Sequence, residues 1–217
     1  MAQSKGWLMG QGGDPAGRPD GTRNINYTIA ALSAWYSAQN SAVYLPDGVS
    51  YFWNDEGEDD YFTFSLWSAA QRAGLAAFDA SRRYYSINRA FAPGAARLGA
   101  IAWTGDIHPK WEDLVNTPGY VLNWGLAGQP WVTCDIGGFK GQSNALLLTR
   151  WYAVGVFIPI MRVHSTATAT PHFPFPELWG AEASAAMQAL LQLRYKLLPY
   201  LYSLAHQTYS QGTPLAR

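Results

Sequence analysis

Five short apolar runs punctuate this chain, and each is closed by a residue that can ionise. Phe52-Trp53-Asn54 runs into Asp55, Tyr84 to Asn88 into Arg89, and Leu98 to Trp103 is followed closely by Asp106. Pro130 to Cys134 meets Asp135, and Phe157 to Val163 meets His164. Stretches with helical spacing separate the runs, and strands alternating with helices argue for a parallel sheet of βαβ units. An open doubly wound sheet gathers ligands around one switch point. A (β/α)8 barrel instead collects its site at the C-terminal ends of all its strands. Five strand ends bearing reactive groups therefore favour the barrel. A full barrel takes eight strands and typically about 250 residues, so 217 residues with five strands read as α/β, a partial (β/α)8 TIM barrel: about the last five strands with their helices.

Local signals give the expected elements. Residues 1–25 are rich in Gly, Pro and Asp (Gly10-Gln11-Gly12-Gly13-Asp14-Pro15) and read as a loop, with the barrel occupying 26–217. No Gly-Lys-Ser/Thr closes these glycines, so a phosphate cradle is a poor reading. Thr28 can cap a helix with Ile29, Leu32 and Tyr36 on its apolar face. Strands follow at 49–54, 84–89, 98–103, 130–134 and 157–163. Helices are expected at 61–73, 110–126 and 144–154, with Pro118 kinking or interrupting the second. A loop at 165–176 precedes two helices between Leu178 and Tyr209, the second broken at Pro199.

Charge excludes several partners. Fifteen basic and fifteen acidic residues cancel, which leaves no field to steer nucleic acid or an anionic membrane. The greasiest stretch, Ala145 to Met161, is interrupted by Arg150 and Pro159 and reads as helix plus strand rather than a membrane span. Met1 to Gly6 lacks the apolar core of a signal peptide, so the chain reads as soluble with its compartment open. Cys134 is the single cysteine and reads as a buried inert thiol. His108, His172 and His206 show no metal-ligand spacing, so neither a metal nor another cofactor is expected.

The two aspartates at the first and third strand ends suit acetal chemistry on a sugar. One carboxyl donates a proton to the leaving oxygen, and the other meets the positive charge at the anomeric carbon. Ten Trp, thirteen Tyr and nine Phe are explained for the most part by core packing, and the surplus leans toward a ligand with flat apolar faces, of which sugars are one class. Trp53, Trp103, Trp131 and Phe139 are candidates for core or platform alike, and Trp53 and Trp103 lie closest in sequence to the carboxylates. Taken singly, Asp55 also suits a helix N-cap, and Asp106 a turn after Gly105. Arg89 suits an ion pair and His164 a satisfied core histidine. Glu56, Glu58, Asp59 and Asp60 suit a solvated acidic loop, the preferred reading for Asp59 and Asp60, and a divalent metal there is the poorer alternative because no spaced ligand set accompanies them.

From about residue 26 onward the chain resembles glycoside hydrolase family 31, the retaining α-glucosidase and α-xylosidase group. Trp53-Asn54-Asp55-x-Gly57-Glu58 is similar to the family's nucleophile signature, and Trp103-Thr104-Gly105-Asp106 to the segment carrying its acid/base. Asn88-Arg89, Cys134-Asp135-Ile136-Gly137-Gly138-Phe139 and Phe157-x-Pro159-x-Met161-Arg162-x-His164 resemble three further barrel motifs. The resemblance implies that Asp55 and Asp106 are catalytic, and that Arg89, Asp135, Phe139 and His164 line the subsite of the cleaved sugar. One departure is Glu56, where the family usually has Met or Phe. The others are the family's upstream sandwich domain, first barrel strands and following domain, which have no counterpart in these 217 residues.

The implied activity is that of an exo-acting retaining α-glycosidase, releasing terminal glucose or a related sugar through a covalent glycosyl-enzyme. A truncated, inactive or merely carbohydrate-binding remnant is the alternative, and an α-glucan lyase a third reading. The Asp55 and Asp106 carboxyls are expected roughly 5–6 Å apart, as retaining chemistry requires. The partner is a carbohydrate. The missing strands would come from upstream sequence or another chain, and without them the polypeptide is expected to aggregate and turn over poorly.

Overall fold

The computed structural model describes residues 3–8, 25–57 and 61–217. The glycine-rich run at 10–15 and the acids Glu58, Asp59 and Asp60 lie outside the described residues. The chain divides into two compact units, Met1–Ala102 and Trp103–Arg217, and each is described by itself. No described helix is long and apolar enough to cross a membrane.

In the first unit, part of the expected loop is structured. A 3₁₀ turn at Gln3–Lys5 leads into a single antiparallel bridge between Leu8 and Ile25. Thr28 does not cap the first helix. Its amide and hydroxyl both turn back to Asn26 Oδ1, and helix α1 (Ala30–Val43) starts after Ile29 without a side-chain cap. What anchors α1 is its packing on α2 (Tyr61–Phe78). Tyr27 stacks on Trp67 at 5.7 Å and meets Tyr36 edge-on at 5.5 Å, while Trp67 Nε1 donates to the Tyr36 hydroxyl at 2.7 Å. Aromatic pairs of this kind add about 0.5–1.5 kcal/mol beyond area burial. The helices approach closely because Gly74 has no side chain; a Cβ there would stand 2.9 Å from the Ser37 carbonyl.

Strands β1 (Tyr51–Asn54), β2 (Tyr85–Asn88) and β3 (Ala100–Trp103) follow. β1 pairs in parallel with β2, Tyr51 opposite Tyr85 and Asn54 opposite Asn88, and β2 in parallel with β3, Ser86 opposite Ala100. Ala100, Ile101, Ala102 and Trp103 are all buried, so β3 is covered along its whole length, as parallel strands usually are.

The second unit holds α3 (Trp111–Leu126), β4 (Val132–Thr133), α4 (Ala145–Gly155), the short α5 (Pro176–Trp179) and α6 (Ala181–Gln211). Three expectations change here. Pro118 leaves α3 uninterrupted. Pro199 lies inside a continuous 31-residue α6, although an interior proline costs about 3 kcal/mol. Tertiary contacts offset that cost: Arg194 on α6 donates to the carbonyls of Val156, Ile158 and Pro159 at 2.7–2.8 Å, and Met187 and Leu204 are buried. The fifth strand is reduced to two parallel bridges, Thr133 with Ile160 and Ile136 with Val163. Its first carbonyls are taken by Arg194 rather than a ladder, and Pro159 has no N–H to offer one.

Candidate active site

The parallel register of β1 and β2 brings the first pair of candidate residues together. Asn54 and Asn88 are partners, so Asp55 and Arg89, the next residue of each strand, emerge side by side. The Arg89 amide donates to the Asn54 carbonyl at 3.0 Å, and its Nη1 reaches Asp55 Oδ1 at 3.4 Å. The same oxygen accepts the Glu56 amide at 2.8 Å. That second contact depends on an unusual backbone: Glu56 sits at φ 67°, the left-handed region that costs an L-residue roughly 1–2 kcal/mol. Gly57 at φ 87° continues the turn with its Cα against the Phe64 ring, where a Cβ would come within 2.3 Å. Asp55 keeps 47% of its side chain exposed, so a substrate can reach it. Trp53 is exposed as well.

A buried polar network beneath this pair was not legible in the sequence. Asn54 and the Gln71 amide exchange two hydrogen bonds of 2.9 Å. Asn88 accepts from Ser86 at 2.7 Å and donates to Ser68 at 2.9 Å, and Tyr84 closes the set on Gln71 at 2.7 Å. A buried network with its partners satisfied rigidifies what rests on it, here the two strand ends. The one signal for it is the spacing of Ser68 and Gln71, three apart on one face of α2, with Asn closing two successive strands.

In the second unit, Asp135 follows β4 and is fully buried. Its Oδ1 accepts Trp103 Nε1 at 2.7 Å and is bound by Arg162 Nη2, while Oδ2 has no hydrogen-bond partner among the described residues. Burial pushes the Asp135 carboxyl up to about 6, against the opposing pull of Arg162 and the Trp103 N–H; the charge of Asp106 adds to the rise. Trp103 is only 2% exposed, with the Arg162 guanidinium 5.3 Å over its ring. It stands as a wall rather than an open platform. Arg162 belongs to a motif singled out in the sequence, yet its role as partner of Asp135 was not foreseen.

The turn after Asp135 is latched to the loop bearing Asp106. The Ile107 carbonyl accepts the amides of Phe139 and Lys140 at 2.7 and 3.1 Å. Gly138, at φ 82°, lies so near the backbone of His108 and Pro109 that a Cβ would approach within 2.3 Å. Both glycines of the Asp-Ile-Gly-Gly-Phe run are thus required; at Gly137 a Cβ would strike the buried His172 ring. Lys140 Nζ is held 3.5 Å from Asp106 Oδ2, a contact that sequence reading missed. Phe139 stacks on His164 with centroids 4.9 Å apart and planes 12° from parallel, so the last two candidates form one half-buried aromatic surface. Cys134 is fully buried, and burial pushes its thiol up to about 12.

A profile of the glycosyl hydrolases family 31 TIM-barrel domain matches residues 1–204. A probable glucan 1,3-alpha-glucosidase of Oryza sativa subsp. japonica is 39% identical over 135 residues, 62% of this chain and 14% of that protein. The lysosomal alpha-glucosidase of Mus musculus is 38% identical over 135 residues, again 62% of this chain and 14% of the relative. The chain therefore spans a small part of the relatives it matches. Among solved structures, a GH31 alpha-xylosidase from a soil metagenome, complexed with xylose, superposes with a TM-score of 0.81 and 25% identity over 98% of this chain and 38% of its own. The parallel strands and covering helices are accordingly part of an α/β TIM barrel. With the profile covering all but the last residues, the chain belongs to glycosyl hydrolase family 31.

Proposed function

We propose that this chain supplies both catalytic carboxyls of a retaining, exo-acting α-glycosidase acting on terminal α-linked glucose or xylose. The observation that carries the reading is the register-locked pair at the ends of β1 and β2. Asp55 is an accessible carboxylate whose Oδ1 is fixed by Arg89 and by the Glu56 amide, which leaves its other oxygen for attack. The matched relatives named as alpha-glucosidases and an alpha-xylosidase supply the sugar class. In the first step an Asp55 oxygen bonds to the anomeric carbon. The glycosidic C–O bond breaks, and the Asp106 proton passes to the leaving oxygen. In the second, water attacks the same carbon and gives its proton to Asp106, and the bond to Asp55 breaks, releasing the sugar with its original α configuration. Arg89, Phe139 and His164 bind the sugar of the covalent intermediate, with Trp53 as a flanking ring, while Asp135 and Trp103, both buried, hold Arg162.

Kinetics of the intact enzyme test this. Asp55→Asn should abolish turnover of every α-glycoside. Asp106→Ala should depress substrates with poor leaving groups about 10²-fold more than activated aryl glycosides, and azide should partly restore it. Equal losses on both substrate types would reject Asp106 as acid/base. Carboxyl groups of Asp55 and Asp106 more than about 10 Å apart in a crystal structure would reject the pair.

A further inference from the structure

The turn that follows Asp135 places a cation beside Asp106, and the same lysine lines a small cavity; this arrangement extends the proposed reaction to its leaving group. Lys140 is fixed at both ends. Its amide is bound to Ile107, and its ammonium lies 3.5 Å from Asp106 Oδ2, with 55% of the lysine side chain exposed against 16% of the aspartate. Lys140 is thus the more exposed member of the pair, whereas Asp135 lies fully buried on its Trp103 and Arg162 contacts. Lys140 also lines a cavity of about 350 Å³ together with Gly141, Gln142, Thr166, Thr168 and Ala169. Its walls are braced: Gln142 donates to Thr170 Oγ1 at 2.8 Å and accepts the Thr170 amide at 3.0 Å. The Thr166 amide reaches the Phe139 carbonyl at 3.4 Å, and the Thr166 and Thr168 hydroxyls stand 3.4 Å apart.

A general acid must touch the oxygen that leaves. In an exo-acting enzyme the retained sugar is enclosed, and the departing part of the substrate extends toward solvent. We propose that Lys140, Thr166 and Thr168 form a leaving-group subsite for a neutral, hydroxyl-bearing sugar unit. Lys140 positions Asp106 through Oδ2 and donates its remaining protons to that unit's hydroxyls, while the threonines offer both donors and acceptors. The inference rests on the proposed glycosidase reading, in which Asp106 is the acid.

Binding separates the two. In an Asp55→Asn background, which cannot turn over, calorimetry with glucose and with maltose measures what the second sugar contributes. Maltose should bind more tightly than glucose. Lys140→Met, and separately Thr166→Val with Thr168→Val, should each weaken maltose about tenfold more than glucose, the scale of a lost hydrogen bond to a charged group or of two neutral ones. With Asp55 restored, kcat/KM for maltose should fall about tenfold more than for a 4-nitrophenyl α-glucoside. Equal weakening of both ligands, or maltose no tighter than glucose in the parent, overturns the subsite and leaves the glycosidase reading in place. An absence of binding to both sugars together with no turnover of the aryl glycoside defeats both.

Discussion

Arg162→Met removes the counter-charge of a carboxylate that no solvent reaches. In the folded chain Asp135 Oδ1 is held by Trp103 Nε1 and Arg162 Nη2, and Oδ2 finds no donor among the described residues. Deleting one partner of a buried ion pair usually costs about 3–5 kcal/mol, because the group left behind must either keep a desolvated, unpaired charge or take up a proton. Methionine keeps most of the arginine's apolar stem, so the loss reports charge more than volume. The pH dependence follows from the shift of Asp135. Its folded pKa, about 6, exceeds the unfolded 3.8, so the buried carboxylate itself detracts from stability as pH rises. Arg162 limits that loss by letting the group ionise at all. At pH 7.5 the parent gains about 2 kcal/mol from folded-state ionisation, 1.36 kcal/mol for each unit above about 6. A variant whose Asp135 remains protonated gains none. Near pH 5.5 neither gains appreciably, so the difference between parent and variant should shrink by about 2 kcal/mol. Urea unfolding followed by tryptophan fluorescence at the two pH values measures it. A penalty under about 1 kcal/mol at pH 7.5, or one equal at both pH values, would refute the account. A double-mutant cycle with Asp135→Asn should show strong coupling between the two sites.

Two further outcomes follow from burial. Cys134, fully buried with its thiol pushed up to about 12, should resist iodoacetamide at pH 8 in the folded protein and label completely in denaturant; rapid native labelling would contradict the burial. His172 donates from Nδ1 to the Ile136 carbonyl at 2.9 Å, while its buried Nε2 lacks a partner among the described residues, and burial holds its pKa below 6.5. As pH falls below 6.5 the unfolded chain takes a proton that the folded ring refuses, so stability should drop by up to about 1.4 kcal/mol per pH unit. His172→Gln should flatten that slope in urea midpoints between pH 7 and 5. A slope unchanged by the substitution would remove His172 as its source.

What the sequence determined by itself was the order of elements and the residues at their ends. Apolar runs of strand length, each stopped by an ionisable group, are local patterns, and a parallel barrel turns that order directly into a ring of strand ends. The places of Asp55 and Arg89 directly after β1 and β2, of Asp106 and Asp135 shortly after β3 and β4, and of His164 after the Val163 bridge were therefore legible, and so was the family of the chain. Local rules misjudged Thr28, Pro199 and the last strand, because distant partners decide them. Asn26 takes the Thr28 hydroxyl, and Arg194 clasps the chain beside α6 while occupying carbonyls a strand would need. The supports of the site were likewise decided only by tertiary structure. Gln71 reaches Asn54 across 17 residues, Arg162 reaches Asp135 across 27, and Lys140 reaches Asp106 through a latch on Ile107. Burial is what gives these contacts their strength, since a polar pair withdrawn from water must be satisfied by a specific partner. Which groups are withdrawn from water follows from how the elements pack, and no spacing along the chain encodes it.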